Sequence, residues 1–308
     1  MDAKEIFRYS PSVWYTSLKE SEDRRKYMKK MLDKVGIQNH GAYITERFEK
    51  LDIKVTGPHT ETLSMGEKGT ITSHLLNIRN WYHTTKEVYA MFCEDDISFE
   101  TVKYWNFTWE DVILTLPRNW KMVQLLRINP FNSMDYKEEH GLKIRKRNWC
   151  DWGCHFLITR KAARELLDRV FVSDNHIHLE PEYNLHPMPE NVLYSHFMDY
   201  LDTVYSLPFF VENMKFGTTF KDKSDMIEVD PETNAKLDQA ESSEFYLKLW
   251  KDVGRNYSID DIMLVNMPEW EYIVNRDRRT QLDDLHKTLE PEDVTVDVEI
   301  VEDIDKTE

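Results

Sequence analysis

Apolar positions along the chain fall into runs of two periods. Val13 to Leu18, "VWYTSL", is a short, mostly apolar run that suits a strand. The next segment, "SEDRRKYMKKMLDKVGI", switches to helical spacing, with Met28, Met31, Leu32 and Val35 on one stripe. Ser21 is a good N-cap, Glu22 and Asp23 suit the positive end of the helix dipole, and Gly36 is a natural stop. "TITSHLLNIRNWYHTT" predicts a second helix with Ile71, Leu75, Ile78 and Tyr82 on one face, and "DIKVTG" before it reads as an edge strand or loop. Val88 to Phe92 predicts a buried strand, and "NWKMVQLLRI" (119–128) another. "CHFLITR" is a strand running into a helix, "KAARELLDRV", whose stripe is Ala163, Leu166, Leu167 and Val170. "ENVLYSHFMDYL" predicts a helix and "TVYSLPFFVE" a last strand. Residues 129–149 read as an exposed hairpin or long loop, and 173–190, rich in His, Pro, Glu and Asn, as loop.

Strand and helix patterns thus alternate, which predicts an α/β fold: a mixed, Rossmann-like sheet flanked by helices. After Gly217 the chain is polar and broken, with "SEFYLKLWKDV" as an appended helix. The expected organisation is one domain over 1–220, an extension over 221–290 and an acidic, disordered tail over 291–308.

Composition narrows the function classes. The 308 residues are 41% hydrophobic and 12% aromatic, enough for a large core. The formal net charge is -16, which argues against a general nucleic-acid binder, because phosphate neutralisation needs a basic surface. The tail from Pro291 to Glu308 alone supplies -7 of it. Three cysteines, Cys93, Cys150 and Cys154, make no disulfide framework and read as reduced thiols rather than half a zinc site. With no apolar run of membrane-spanning length and no signal-peptide core in "MDAKEIFRYS", the expectation is a cytoplasmic protein with no integral membrane segment.

The chemistry concentrates at "CEDD". Glu94, Asp95 and Asp96 arrive together where a buried strand ends, the place at which ligands sit in α/β sheets. Three adjacent carboxylates repel one another and call for a cation or donor. Glu94 and Asp96 share a face if the chain stays extended, and hard oxygen ligands suit Mg²⁺ or Mn²⁺ with water or phosphate oxygens completing the shell. The same residues also describe a solvated acidic turn.

Three segments decide for the former. "TSLKESEDRRKYMKKMLDKVGI", "GEKGTITSHLLNIRNWYHTTKEVYAMFCEDDISFE" and "WGCHFLITRKAARELL" resemble, in order and spacing, the opening turn, the "G-E-x-G-x-x-x-S-H" helix with its "E-D-D" signature, and the "R-x-A-x-x-L" unit of glycosyltransferase family 25. That family contains lipooligosaccharide and collagen galactosyltransferases, and the resemblance covers about residues 10–220. It implies a GT-A fold that binds a nucleotide sugar through an acidic metal motif. Carried over, Asp96 is the direct metal ligand with Glu94 beside it, and Glu94 and Asp95 hold the ribose and orient the site. Leu18 and Arg24 lie at the nucleotide, Arg24 against phosphate; both Arg24 and Arg25 also fit a solvated helix face. His74 matches the signature, although a buried His on an apolar face also fits a structural role. Asp151 and His155 flank the third motif and face the acceptor, with Trp149 and Trp152 packing or stacking on sugar.

The sequence departs from the family at "PMPENVLYSHF", where the expected Asp is replaced by Asn191 with Glu190 alongside. Inverting transfer needs a carboxylate there as general base, and Glu190 fills the slot if the register slips by one. The third metal ligand is open among His186, His196 and His286. The expected function is a Mn²⁺- or Mg²⁺-dependent transfer of a hexose, galactose for example, from a UDP-sugar to a glycan or hydroxylated acceptor. The alternatives are a metal-dependent nucleotidyl or phosphoryl transferase, which needs a second carboxylate cluster, and a non-catalytic carbohydrate-binding or assembly protein on a degenerate transferase fold.

Overall fold

The computed structural model describes residues 1–128, 141–147, 153–180, 189–197, 203–216 and 231–263. It is a mixed α/β structure built on a seven-stranded sheet. The elements up to and just past the acidic motif are α1 (Ala3–Ile6), β1 (Val13–Leu18), α2 (Glu22–Val35), β2 (His40–Thr45), β3 (Lys54–Thr56), α3 (Met65–Thr84), β4 (Tyr89–Glu94) and β5 (Ile97–Ser98). After it come α4 (Trp109–Thr115), β6 (Met122–Gln124), β7 (Arg145–Lys146), β8 (Phe156–Thr159) and α5 (Arg160–Val170). The remainder are β9 (Phe171–Ser173), β10 (His176–His178), α6 (Pro189–Ser195), β11 (Val204–Ser206), β12 (Val211–Glu212), α7 (Pro231–Val253) and α8 (Ile259–Met263).

The main sheet has the order β2-β1-β4-β8-β6-β11-β7. β1 is parallel to β2 and β4, β6 is parallel to β11, and β8 runs antiparallel between β4 and β6. The carboxyl ends of β1, β4, β6 and β11 therefore share one edge with the entrance to β8, which is where α/β folds place ligands. Two small sheets, β3-β10-β9 and β12-β5, lie apart from it.

Pleating sorts the β4 side chains. Met91 and Cys93 join the core with Met28, Leu32 and Val35 of α2, while Ala90 and Phe92 join Ile71, Leu75 and Trp81 of α3 and Leu166 of α5. α2 stops where Gly36 takes φ 87°; a Cβ there would lie 2.7 Å from Lys4 Cγ. α3 begins six residues before the apolar stripe opens at Ile71, because Ser64 and Glu67 form a reciprocal capping box.

Several segments differ from their sequence reading. The run "TVYSLPFFVE" divides into β11 and β12, which belong to different sheets, with Pro208, which has no N–H to donate, at the break. β2 forms as a mostly solvent-facing edge strand with no apolar run to announce it, and β10 lies inside the stretch read as loop. Trp250 of α7 is fully buried against Phe107 and Phe209, and its Nε1 donates to Pro208 O at 2.7 Å. Ile259, Ile262 and Met263 of α8 enter the same core. Among the described residues no helix is long and apolar enough to cross a membrane. The tail over 291–308 lies outside the described residues.

Candidate functional site

Glu94 ends β4 on the α3 side of the sheet, following the alternation of Ala90 and Phe92. Its Oε1 lies 3.7 Å from Nε2 of His74, an ion-pair separation rather than a hydrogen bond. Its backbone N–H donates to His155 Nδ1 at 3.3 Å. That bond assigns the His155 proton to Nε2. Both imidazoles are buried, and among the described residues neither ring nitrogen of His74 nor His155 Nε2 has a hydrogen-bond partner. Burial pushes His155 down to about 4 against the attraction of Glu94, so the ring is neutral at neutral pH. Burial also works to raise the Glu94 carboxyl, but His74, His155 and Arg24 outweigh it and hold Glu94 below its ordinary range.

The chain does not stay extended past Glu94. Asp95 and Asp96 form a turn, and both carboxylates face one cation on the α2 side. Nη1 of Arg24, from the first turn of α2, lies 2.8 Å from Asp95 Oδ1 and 3.0 Å from Asp96 Oδ2. Ser17 Oγ, near the end of β1, donates to Asp95 Oδ2 at 2.6 Å. Both Asp95 oxygens are thus engaged within the protein, and this residue ties β4 to β1 and α2. Asp96 differs: its Oδ1 is buried and has no hydrogen-bond partner among the described residues. Burial, followed by the neighbouring Glu94 carboxylate, pushes Asp96 up to about 7 against the pull of Arg24. Burial likewise raises Asp95, opposed by Ser17 and Arg24.

Arg25 closes the end of β1. Its Nη1 donates to Leu18 O, and its Nη2 to Lys19 O at 2.8 Å. The Leu18 carbonyl also accepts the Ser21 N–H at 2.9 Å. Leu18 and Arg25 therefore shape this turn, and Arg24 is the cation that answers the acidic triad.

Glu190 opens α6 and accepts the Gly153 N–H at 3.1 Å. The Gly153 carbonyl accepts from Tyr194 OH at 2.9 Å and Gln124 Nε2 at 3.2 Å. Gly153 takes φ 111°, and a Cβ there would approach Leu126 Cδ2 to 2.9 Å, so glycine is required. Arg147 stacks over the Tyr194 ring at 4.2 Å and bonds Gln124 through Nε. Burial raises the Glu190 carboxyl; its own N–H and that of Gly153 oppose the shift, and Glu94 adds to it. Glu190 and Glu94 are therefore within electrostatic reach at the same sheet edge. Asn191 follows on α6, and His196 Nδ1 pairs with Arg169. Asp151, Trp149, Cys150, Trp152, His186 and His286 lie outside the described residues.

One acid was missed by pattern reading. Glu212 ends β12, which pairs with β5 so that Glu212 stands across from Ile97. The next N–H, of Asn213, donates to Asp96 O at 2.6 Å. Burial, then Asp96, Glu94 and Glu190, push the Glu212 carboxyl well above its usual range. The available signal was its position: it ends an apolar run, as Glu94 does.

The neighbouring charges acting on Glu212 are Asp96, Glu94 and Glu190, with Arg24 opposing them. Among the described residues no group of three or more His, Cys, Asp or Glu side chains could hold a metal ion. A Mg²⁺- or Mn²⁺-type ion needs only one or two carboxylates when phosphate oxygens and waters complete its shell. Among the described residues Asp96 keeps a buried Oδ1 with no hydrogen-bond partner, while Glu94 turns to the α3 side and faces His74. No protein-family model and no curated protein matches the chain.

Proposed function

We propose that the chain is a metal-dependent glycosyltransferase of the GT-A type, working in the cytoplasm. It transfers a hexose from a UDP-sugar to a hydroxyl of a glycan or other hydroxylated acceptor, with inversion. The observation that carries this reading is the division of labour within the triad. Asp95 is consumed by Ser17 and Arg24, while Asp96 keeps a buried Oδ1 with no hydrogen-bond partner among the described residues. The resemblance of three ordered segments to glycosyltransferase family 25 supports the same conclusion.

Asp96 and Glu94 would hold the divalent ion. When bound, it neutralises charge developing on a diphosphate leaving group. Arg24 keeps the turn closed by countering Asp95 and Asp96, so that Asp96 is presented in a fixed position. Glu190 takes the acceptor hydroxyl proton on a carboxylate oxygen as that hydroxyl attacks. Its raised proton affinity suits a general base, and the Gly153 N–H fixes its orientation.

The test is UDP release from a panel of UDP-hexoses and acceptors, with and without Mn²⁺. Acceptor-stimulated, Mn²⁺-dependent release is expected, and Asp96→Asn should remove it while melting like the parent chain. Release at the parent rate by Asp96→Asn would refute the assignment.

A further inference from the structure

We propose that Tyr194 and Gln124 are positioning residues for Glu190, acting through Gly153, and that Arg147 locks both of them. The proposal rests on the transferase reading, in which Glu190 is the general base, and extends it to the residues that hold that base in place.

Glu190 needs such support. It is partly buried at the start of α6, and among the described residues the Gly153 N–H, at 3.1 Å, is the one hydrogen-bond donor to its carboxylate besides its own backbone. The carboxylate is therefore only as well aimed as Gly153 is fixed. Gly153 stands at φ 111°, in a region that favours glycine, and Leu126 leaves no room for a Cβ. The same lack of a Cβ leaves glycine freer to rotate than any other residue, so its conformation must be held from outside.

Two donors hold it. Tyr194 OH donates to the Gly153 carbonyl at 2.9 Å, and Gln124 Nε2 donates to the same oxygen at 3.2 Å; both side chains are fully buried. Glu190 and Tyr194 stand at i and i+4 on one face of α6, so the helix clasps Gly153 at its N–H with one side chain and at its carbonyl with the other. Gln124 reaches that carbonyl from the end of β6. Chemistry fixes the direction of its amide: Arg147 Nε donates to Gln124 Oε1 at 3.0 Å, and a guanidinium only donates, so the amide nitrogen must face Gly153. Arg147 also stacks over the Tyr194 ring at 4.2 Å, and Phe156 packs edge-on against the same ring at 5.8 Å. One buried cation thereby restrains both donors.

Packing alone does not account for the arrangement. Apolar side chains would join β6 to α6 without the desolvation cost of an amide, a phenol and a guanidinium buried together. A satisfied polar network instead specifies one geometry, and the geometry specified here is that of the glycine whose N–H aims Glu190.

The experiment uses the full chain and measures acceptor-dependent UDP release from a UDP-hexose with Mn²⁺, UDP affinity by calorimetry, and melting temperature. Tyr194→Phe removes the hydroxyl and keeps the ring that packs on Arg147 and Phe156. It should lower kcat about tenfold or more, as a small misplacement of a reacting group does, with UDP affinity unchanged. Gln124→Glu, as a carboxylate, still accepts from Arg147 but offers the Gly153 carbonyl no N–H, and should lower kcat in the same way. The decisive comparison is made in the Glu190→Gln background, where Tyr194→Phe should cause less than about a twofold further loss, because no base is left to misplace. A loss of the full size in that background, a kcat equal to the parent's in both single variants, or a fall in UDP affinity matching the fall in kcat would overturn the positioning role alone. A parent chain with no acceptor-dependent release, or a Glu190→Gln chain with parental turnover, would overturn the reading of Glu190 as the base of a transferase and this assignment with it.

Discussion

Replacing Arg24 with Met removes the cation from the acidic turn while keeping an unbranched apolar stem of similar reach. The ion pairs concerned are poorly solvated: the side chains of Arg24, Asp95 and Asp96 are 11%, 7% and 21% exposed. Breaking a buried pair by deleting one partner typically costs about 3–5 kcal/mol, because the remaining charge is left uncompensated. Here one guanidinium nitrogen serves two carboxylates, so the upper part of that range is expected at pH 8. The loss must depend on pH. Asp96 is raised from 3.8 to about 7 in the folded chain, so between these values the folded state binds more protons than the unfolded state. Stability from this group is fully present below about pH 4 and falls as pH rises through 7. Without Arg24 both carboxyls rise further, so protonation rescues the variant on the acid side. Urea unfolding of parent and Arg24→Met chains at pH 5 and pH 8 should show a large deficit at pH 8 and a smaller one at pH 5. A deficit below about 1 kcal/mol at pH 8, or one that grows on acidification, would refute the view of Arg24 as the counter-ion of a buried pair.

Glu190→Gln should lower turnover by at least about a hundredfold with donor affinity little changed, since the amide oxygen still accepts from Gly153 but takes up no proton; steady-state kinetics at saturating acceptor would show it. Trp250→Ala should destabilise the chain by about 3–5 kcal/mol, as truncating a fully buried Trp typically does; denaturant unfolding measures this, and a loss under about 1 kcal/mol would detach α7 from the core.

Pattern reading reached what is local. The switch from strand to helical period at Ser21, the stop at Gly36 and the strand into Glu94 each rest on neighbours within one or two turns, and the structure places α2 and β4 there. The mixed sheet flanked by helices follows from the same alternation. What each acid does was not local. Arg24 meets Asp95 across 71 positions of sequence, and only that meeting separates the structural Asp95 from Asp96 with its open oxygen. Glu94 and Asp96 do not share a face, because the chain turns at Asp95, where one cation draws both carboxylates to the α2 side. β2 escaped notice because an edge strand with solvated side chains has no apolar period to read. Glu212 escaped because a ladder with β5, not any motif around it, brings it to Asp96.

Calorimetric titration of the chain with UDP, in the presence and absence of Mn²⁺, bears most directly on the central claim that Asp96 and Glu94 form a cation-dependent nucleotide site. The parent chain should bind UDP at least about tenfold more tightly with Mn²⁺, a gain of about 1.4 kcal/mol or more, and Asp96→Asn should lose that gain while keeping the parent fold. Affinity for UDP that is the same with and without Mn²⁺, or a Mn²⁺-dependent gain that survives in Asp96→Asn, would contradict it.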